Sequence, residues 1–144
     1  MNASYQYIVV PDATPQEMAS ASANNRNIRI LSNTPDLQGV MHDGLNICQL
    51  VFYKAGEVEI SDGYTVKMDS PGMAMLKMNE VRIDELSISD PSRKLTRVTL
   101  TIPGIYNTRG ENFRTLPDKN KNSTLIIIDL PTDVYAGSSV TIKL

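Results

Sequence analysis

The chain has 144 residues, close to the ~150 that serve as a soft expectation for one domain, so a single core is expected. Fourteen Lys and Arg against sixteen Asp and Glu give a net charge of −2, too little for a general nucleic-acid binder, and no apolar run is long enough to span a membrane as a helix. Hydrophobic residues at 41 % beside 21 % charged residues exclude disorder.

Val, Ile and Thr together number 34, and β-branched side chains favour pleated, half-buried surfaces. The chain reads as all-β, an antiparallel β-sandwich over residues 1–144 with one short helix near the N-terminus. In chain order, a strand pattern at Tyr5–Val10 comes first. Entry into a strand so early fits a domain cut from a longer protein with any targeting segment upstream, since no basic, then apolar, signal peptide precedes it. Thr14-Pro15-Gln16-Glu17 follows, a capping box with proline at the first helical position, and it predicts two or three helical turns ended by Asn24-Asn25.

Predicted strands then run at Asn27–Leu31, Gly39–His42, Ile47–Lys54, Glu57–Ser61, Tyr64–Met68, Ala74–Met78, Glu80–Asp84, Glu85–Ser89 and Leu95–Ile102. Asp62-Gly63 predicts a type I′ hairpin, which needs positive φ at both central residues. Val98, Leu100 and Ile102 alternate with Arg97, Thr99 and Thr101, so one face is core and the other is wet. From Ile105 to Asn122 the chain is mostly polar and reads as a long loop or irregular hairpin. Strands at Thr124–Leu130 and Ser138–Leu144 close the pattern.

Little in the sequence forms a reactive constellation. His42 is the single histidine and reads as a strand end entering a turn; Cys48, the single cysteine, lies on an apolar strand as a small hydrophobe and excludes an internal disulfide. One histidine and one cysteine cannot build a nitrogen-and-sulfur zinc cage. Asp129 and Asp133 read as solvated turn carboxylates rather than calcium ligands, and the pairs Glu57/Glu59 and Asp84/Glu85 as wet-face charges. No cofactor or metal is expected, and no catalytic residue is assigned. The sequons at Asn2 and Asn122 matter only in a glycosylating pathway.

The segment 105–122 is the functional candidate that composition suggests. Arg109, Arg114, Lys119 and Lys121 outnumber Glu111 and Asp118 by two, leaving −4 for the remainder of the chain. Those four cations, with Tyr106 as a stacking face, suit an anionic polymer; a solvated connection between strands is the other reading.

Several blocks in order resemble the C-terminal part of the family 8 polysaccharide lyases, which include hyaluronate, chondroitin and xanthan lyases. They are Tyr5-Gln6-Tyr7-Ile8-Val9-Val10-Pro11 with Ala13-Thr14-Pro15-Gln16-Glu17, Ile28-Arg29-Ile30-Leu31-Ser32-Asn33-Thr34, and Leu37-Gln38-Gly39-Val40-Met41-His42. Val51-Phe52-Tyr53-Lys54-Ala55-Gly56, Ser70-Pro71-Gly72-Met73-Ala74-Met75-Leu76, Leu130-Pro131 and Ala136-Gly137-Ser138-Ser139-Val140-Thr141 continue the series. The resemblance implies a noncatalytic sandwich from the C-terminal end of a larger extracellular or periplasmic lyase, with that lyase's upstream domains as partners; the alternative is a carbohydrate-binding module that contacts anionic polysaccharide through the segment Ile105–Asn122. It further implies β-elimination by the parent at a uronic acid of chondroitin or hyaluronan, in which a base takes the C5 proton and the C4–O bond breaks. The asparagine, histidine, tyrosine and arginine that the family uses lie on a helical toroid, and none maps onto these residues.

Overall fold

A computed structural model describes residues 5, 7–24, 27–80 and 82–144. One helix, α1 (Pro15–Asn24), precedes eleven strands: β1 (Ile28–Asn33), β2 (Leu37–His42), β3 (Ile47–Phe52), β4 (Gly56–Ser61), β5 (Tyr64–Met68), β6 (Gly72–Asn79), β7 (Arg82–Ser89), β8 (Arg97–Pro103), β9 (Phe113–Asp118), β10 (Ser123–Asp129) and β11 (Val140–Lys143). They form two antiparallel sheets, ordered β1-β2-β3-β6-β7-β11 and β4-β5-β8-β10-β9. This is the expected sandwich.

Period-2 alternation builds the core. Leu50, Phe52, Leu76, Leu86 and Ile88 of the first sheet are buried together with Val66, Met68, Leu100, Ile102, Ile126 and Ile128 of the second. Gly39 sits where a Cβ would come within 2.9 Å of the Leu50 side chain, so a larger residue there would force Leu50 to shift. Arg29 closes one margin: its guanidinium grips Asp43 through Nε and Nη2 at 2.9–3.1 Å and reaches the Ile60 carbonyl of the second sheet at 3.4 Å. That hydrogen-bonded guanidinium holds the Asp43 carboxyl below its ordinary range.

The capping box forms as expected. The Glu17 N–H donates to Thr14 Oγ1 at 3.3 Å, and Glu17 Oε2 accepts from the Thr14 N–H and hydroxyl at 2.8 and 2.7 Å. Of the ending expected at Asn24-Asn25, Asn24 is the last helical residue and Asn25 lies outside the described residues.

Four expectations are corrected. Tyr5 and residues 7–10 form no strand; Tyr5 is 82 % and Tyr7 76 % exposed, and their rings stack 6.1 Å apart. Strand propensity alone cannot hold a strand without a ladder partner, and neither sheet offers one there. Second, the strands expected at Glu80–Asp84 and Glu85–Ser89 are one, β7, whose pairing with β6 slips between Lys77↔Glu85 and Met78↔Ile83. The slip leaves Asp84 as an extra residue, so Ile83 and Leu86 both face inward despite their odd spacing.

Third, Gly63 has φ 72° but Asp62 is not in the left-handed region, so the turn is not type I′; a slip between Glu59 and Ser61 in β4 takes up the difference. Fourth, of the two forms expected for residues 105–122 the structure takes the irregular hairpin and not the long loop, and the segment contains β9. Its Pro117 lacks a donor, which an edge strand tolerates because one side of it needs no ladder bond.

Candidate functional site

Two surfaces are chemically distinctive. On the second sheet, Thr108 and Thr115 begin a tight hairpin: the Thr108 N–H donates to Thr115 Oγ1 at 2.9 Å, and the Thr115 hydroxyl donates to the Thr108 carbonyl at 2.6 Å. The Gly110 N–H then donates to the Phe113 carbonyl at 3.0 Å. This places Arg109 and Arg114 opposite each other in an antiparallel bridge, both exposed. Arg114 is also level with Ile127 of β10, and Leu116 with Leu125.

The other expected binding residues part company here. Lys119 and Lys121 are exposed on the turn after β9, with Lys121 Nζ 3.7 Å from Asp118. Tyr106 is only 2 % exposed. Its hydroxyl accepts the Ile83 N–H at 2.8 Å, its own N–H donates to Thr124 Oγ1 at 3.0 Å, and the Arg82 guanidinium lies 4.7 Å from the ring centre. Burial pushes the phenol above its ordinary pKa. Tyr106 therefore pins the sheets together and turns no face to solvent.

The second surface was not singled out in the sequence. The outer face of the first sheet would ordinarily be polar, yet Ile28, Ile30, Val40, Tyr53, Met73 and Met75 are exposed. Ladder register sets Ile30 beside Val40, and Val51 beside Met73. An open groove of about 590 Å³ runs along it, between Tyr5 and Tyr7 on one side and Ile30, Gln38 and Val40 on the other. The signal was present as apolar residues on the supposedly wet positions of β1, β2 and β6. By contrast, the outer face of the second sheet carries Glu57, Glu59, Lys67 and an Arg97–Asp129 ion pair at 2.6 Å.

The remaining chemical candidates are engaged structurally. His42 Nδ1 accepts the Leu45 N–H at 3.1 Å, capping the β2–β3 turn. Asp129 holds Arg97, and Asp133 Oδ2 accepts the Thr132 hydroxyl at 3.1 Å. Among the described residues, no group of three or more His, Cys, Asp or Glu is placed to hold a metal, and no helix is long and apolar enough to cross a membrane. Asn122 of the second sequon is exposed in the β9–β10 turn; Asn2 lies outside the described residues.

Cys48 is buried, and burial pushes its thiol up to about 12, opposed only by the nearby Arg29 charge. At pH 8 the thiolate fraction is then roughly a thousandfold below that of a free cysteine. A disulfide-exchange reagent is expected to leave the native chain unlabelled over hours and to label it at once in denaturant; fast native labelling would contradict this environment.

Residues 29–99 match the family model described as polysaccharide lyase family 8, C-terminal beta-sandwich domain. The chain is 28 % identical over 144 residues to Chondroitinase-AC of Pedobacter heparinus, covering 99 % of this chain and 18 % of that protein. It is 33 % identical over 101 residues to Hyaluronate lyase of Thermasporomyces composti, covering 70 % of this chain and 12 % of the relative. A solved structure of chondroitinase AC lyase with oligosaccharides superposes with a TM-score of 0.69 at 25 % identity, over 90 % of this chain and 17 % of that one. The chain thus spans less than a fifth of each of these relatives.

Proposed function

From a chain that belongs to polysaccharide lyase family 8 through its C-terminal β-sandwich domain, we propose a noncatalytic supporting role within a larger lyase acting on chondroitin or hyaluronan. The observation that carries this reading is the apolar outer face of the first sheet. Ile30, Val40, Met73 and Met75 lie on an exposed face that Gln38, Gln49 and Ser87 interrupt and that His42 and Lys77 border. Exposed apolar surface of this kind marks a site of association. Its occupant is the preceding part of the lyase polypeptide, because four-fifths of a protein like the chondroitinase relative lies outside the matched 18 %. Tyr5 and Tyr7 border the same face through the groove, which extends the surface available to that neighbour.

Support for the absence of catalysis comes from the same geometry. The one histidine caps a turn, the one cysteine is buried and Tyr106 is sealed inside, while the exposed Tyr5, Tyr7, Tyr53 and Tyr135 hydroxyls have no ionisable hydrogen-bond partner among the described residues. Removal of a C5 proton needs a base or phenol within hydrogen-bond reach of the sugar. Under this reading the parent works outside the cytoplasm, where such polymers occur.

One preparation tests both halves. Incubated with chondroitin sulfate or hyaluronan, the chain alone is expected to release no unsaturated, ultraviolet-absorbing product; steady release would sink the supporting role. In sedimentation velocity the bare face is expected to cause concentration-dependent association that Val40→Lys with Met75→Lys abolishes while the fold persists. A monomer at all concentrations, with or without the lysines, would count against the face as a docking surface.

A further inference from the structure

Arg109, just before β9, and Arg114, on β9, are two cations set directly against each other across an antiparallel bridge. Residues opposed across an antiparallel bridge carry their Cβ atoms about 4.5–5.5 Å apart, and like charges so placed repel. Among the described residues, ion pairs join Arg29 to Asp43, Lys54 to Asp36, Arg97 to Asp129 and Lys121 to Asp118. Neither Arg109 nor Arg114 takes part, and Glu111 at the hairpin tip is bonded to neither. The backbone cannot easily relax the repulsion. Thr108 and Thr115 lock the hairpin base, and the Phe113 ring packs so closely on Gly110 that a Cβ there would overlap it.

We propose that Arg109 and Arg114 form an anion subsite for a sulfate or carboxylate carried on an anionic polysaccharide. Each guanidinium offers a planar fork of donors that matches an oxyanion, and one anion shared between them replaces repulsion with two charge-assisted contacts. Half-buried Ile127 and Leu125, with exposed Leu116, lie on the same outer face and present apolar surface to the C–H side of a sugar ring. Lys119 and Lys121, on the following turn, add diffuse charge only. The choice of a polysaccharide rests on the reading of the chain as part of a lyase; the anion subsite does not.

Isothermal titration of the whole chain with chondroitin sulfate, at low and moderate salt, tests the subsite. Arg109→Gln with Arg114→Gln is expected to weaken binding about tenfold or more, the loss of one or two charge-assisted contacts, whereas Lys119→Gln with Lys121→Gln costs less than about threefold. The arginine variant should melt no lower than the parent chain, because a repulsion has been removed. A lower melting temperature, equal losses in the two variants, an unchanged affinity in the arginine variant, or no binding by the parent chain would each overturn the proposal. Hyaluronan, which carries carboxylate and no sulfate, identifies the group: equal binding assigns the carboxylate, and binding of chondroitin sulfate alone assigns the sulfate. Unsaturated product appearing in the same mixtures would strike the supporting role and leave the subsite standing.

Discussion

Tyr106→Ala is expected to destabilise the chain by about 3–5 kcal/mol, the range for emptying a buried aromatic site, and at this length to lower Tm by roughly 10 °C. The site is crowded on every side. The ring is 2 % exposed, Gly104 lies against its edge with φ 91°, and Arg82 covers it at 4.7 Å. No residue of β11 lies opposite Ile83, since that pairing runs from Glu85 to Ile88, and the phenol hydroxyl accepts the Ile83 N–H instead. Tyr106→Phe isolates the second contribution. It keeps the ring and leaves a buried N–H without an acceptor, at a cost of about 1–3 kcal/mol. Arg82→Ala loses only an exposed cation–π contact of roughly 0.5–1 kcal/mol. Thermal melts of the three variants should fall in that order, and a Tyr106→Phe chain as stable as the parent would show that the hydroxyl bond contributes nothing.

Asp90→Ala ranks second, with an expected loss of about 3 kcal/mol, because hydrogen bonds to a charged group contribute ~1.5–3 kcal/mol each and their donors are stranded together. The carboxylate is 3 % exposed and accepts backbone N–H bonds from Ser92 at 2.9 Å and from Lys94 and Leu95 at 2.8 Å, so it organises the whole β7–β8 connection. Burial alone would raise its pKa; the bonds from Ser92, Leu95 and Lys94 outweigh that and lower it. A carboxyl depressed in the folded state stabilises fully above its unfolded value, near 3.9, and that contribution is lost as pH falls through the folded value. Melts of the parent chain and of Asp90→Asn should therefore differ most at neutral pH, and the gap should narrow as pH falls below the unfolded value. A constant gap down to pH 2 would mean that Asp90 enters folding uncharged.

Most of the sandwich was legible because alternation and turn chemistry agree along it: Tyr64–Met68 appears with its expected limits, and Val98, Leu100 and Ile102 point inward as their spacing requires. The failures share a cause. A bulge at Asp84 breaks the period of two, a register slip beside Ile60 alters the turn, and no local pattern announces either. Tyr5–Val10 has the composition of a strand, but Tyr5 and residues 7–10 join no ladder, whereas Phe113–Asp118 carries a proline and two charges yet pairs because β10 is beside it. The candidate surfaces followed the same rule. Arg109 and Arg114 were visible as cations, but their opposition arises from a hairpin held by Thr108, Thr115 and Gly110. Tyr106 looked exposed amid polar neighbours; Thr124 and Ile83, distant in sequence, draw it inside.

The late strand β11 sets a schedule for synthesis. Its four residues complete one side of β7, yet they are translated roughly 50 residues after β7, an interval of about 3–10 s at common elongation rates. During that time Leu86 and Ile88 belong to a strand with one open hydrogen-bonding row, close to the ribosome and available to any other nascent chain.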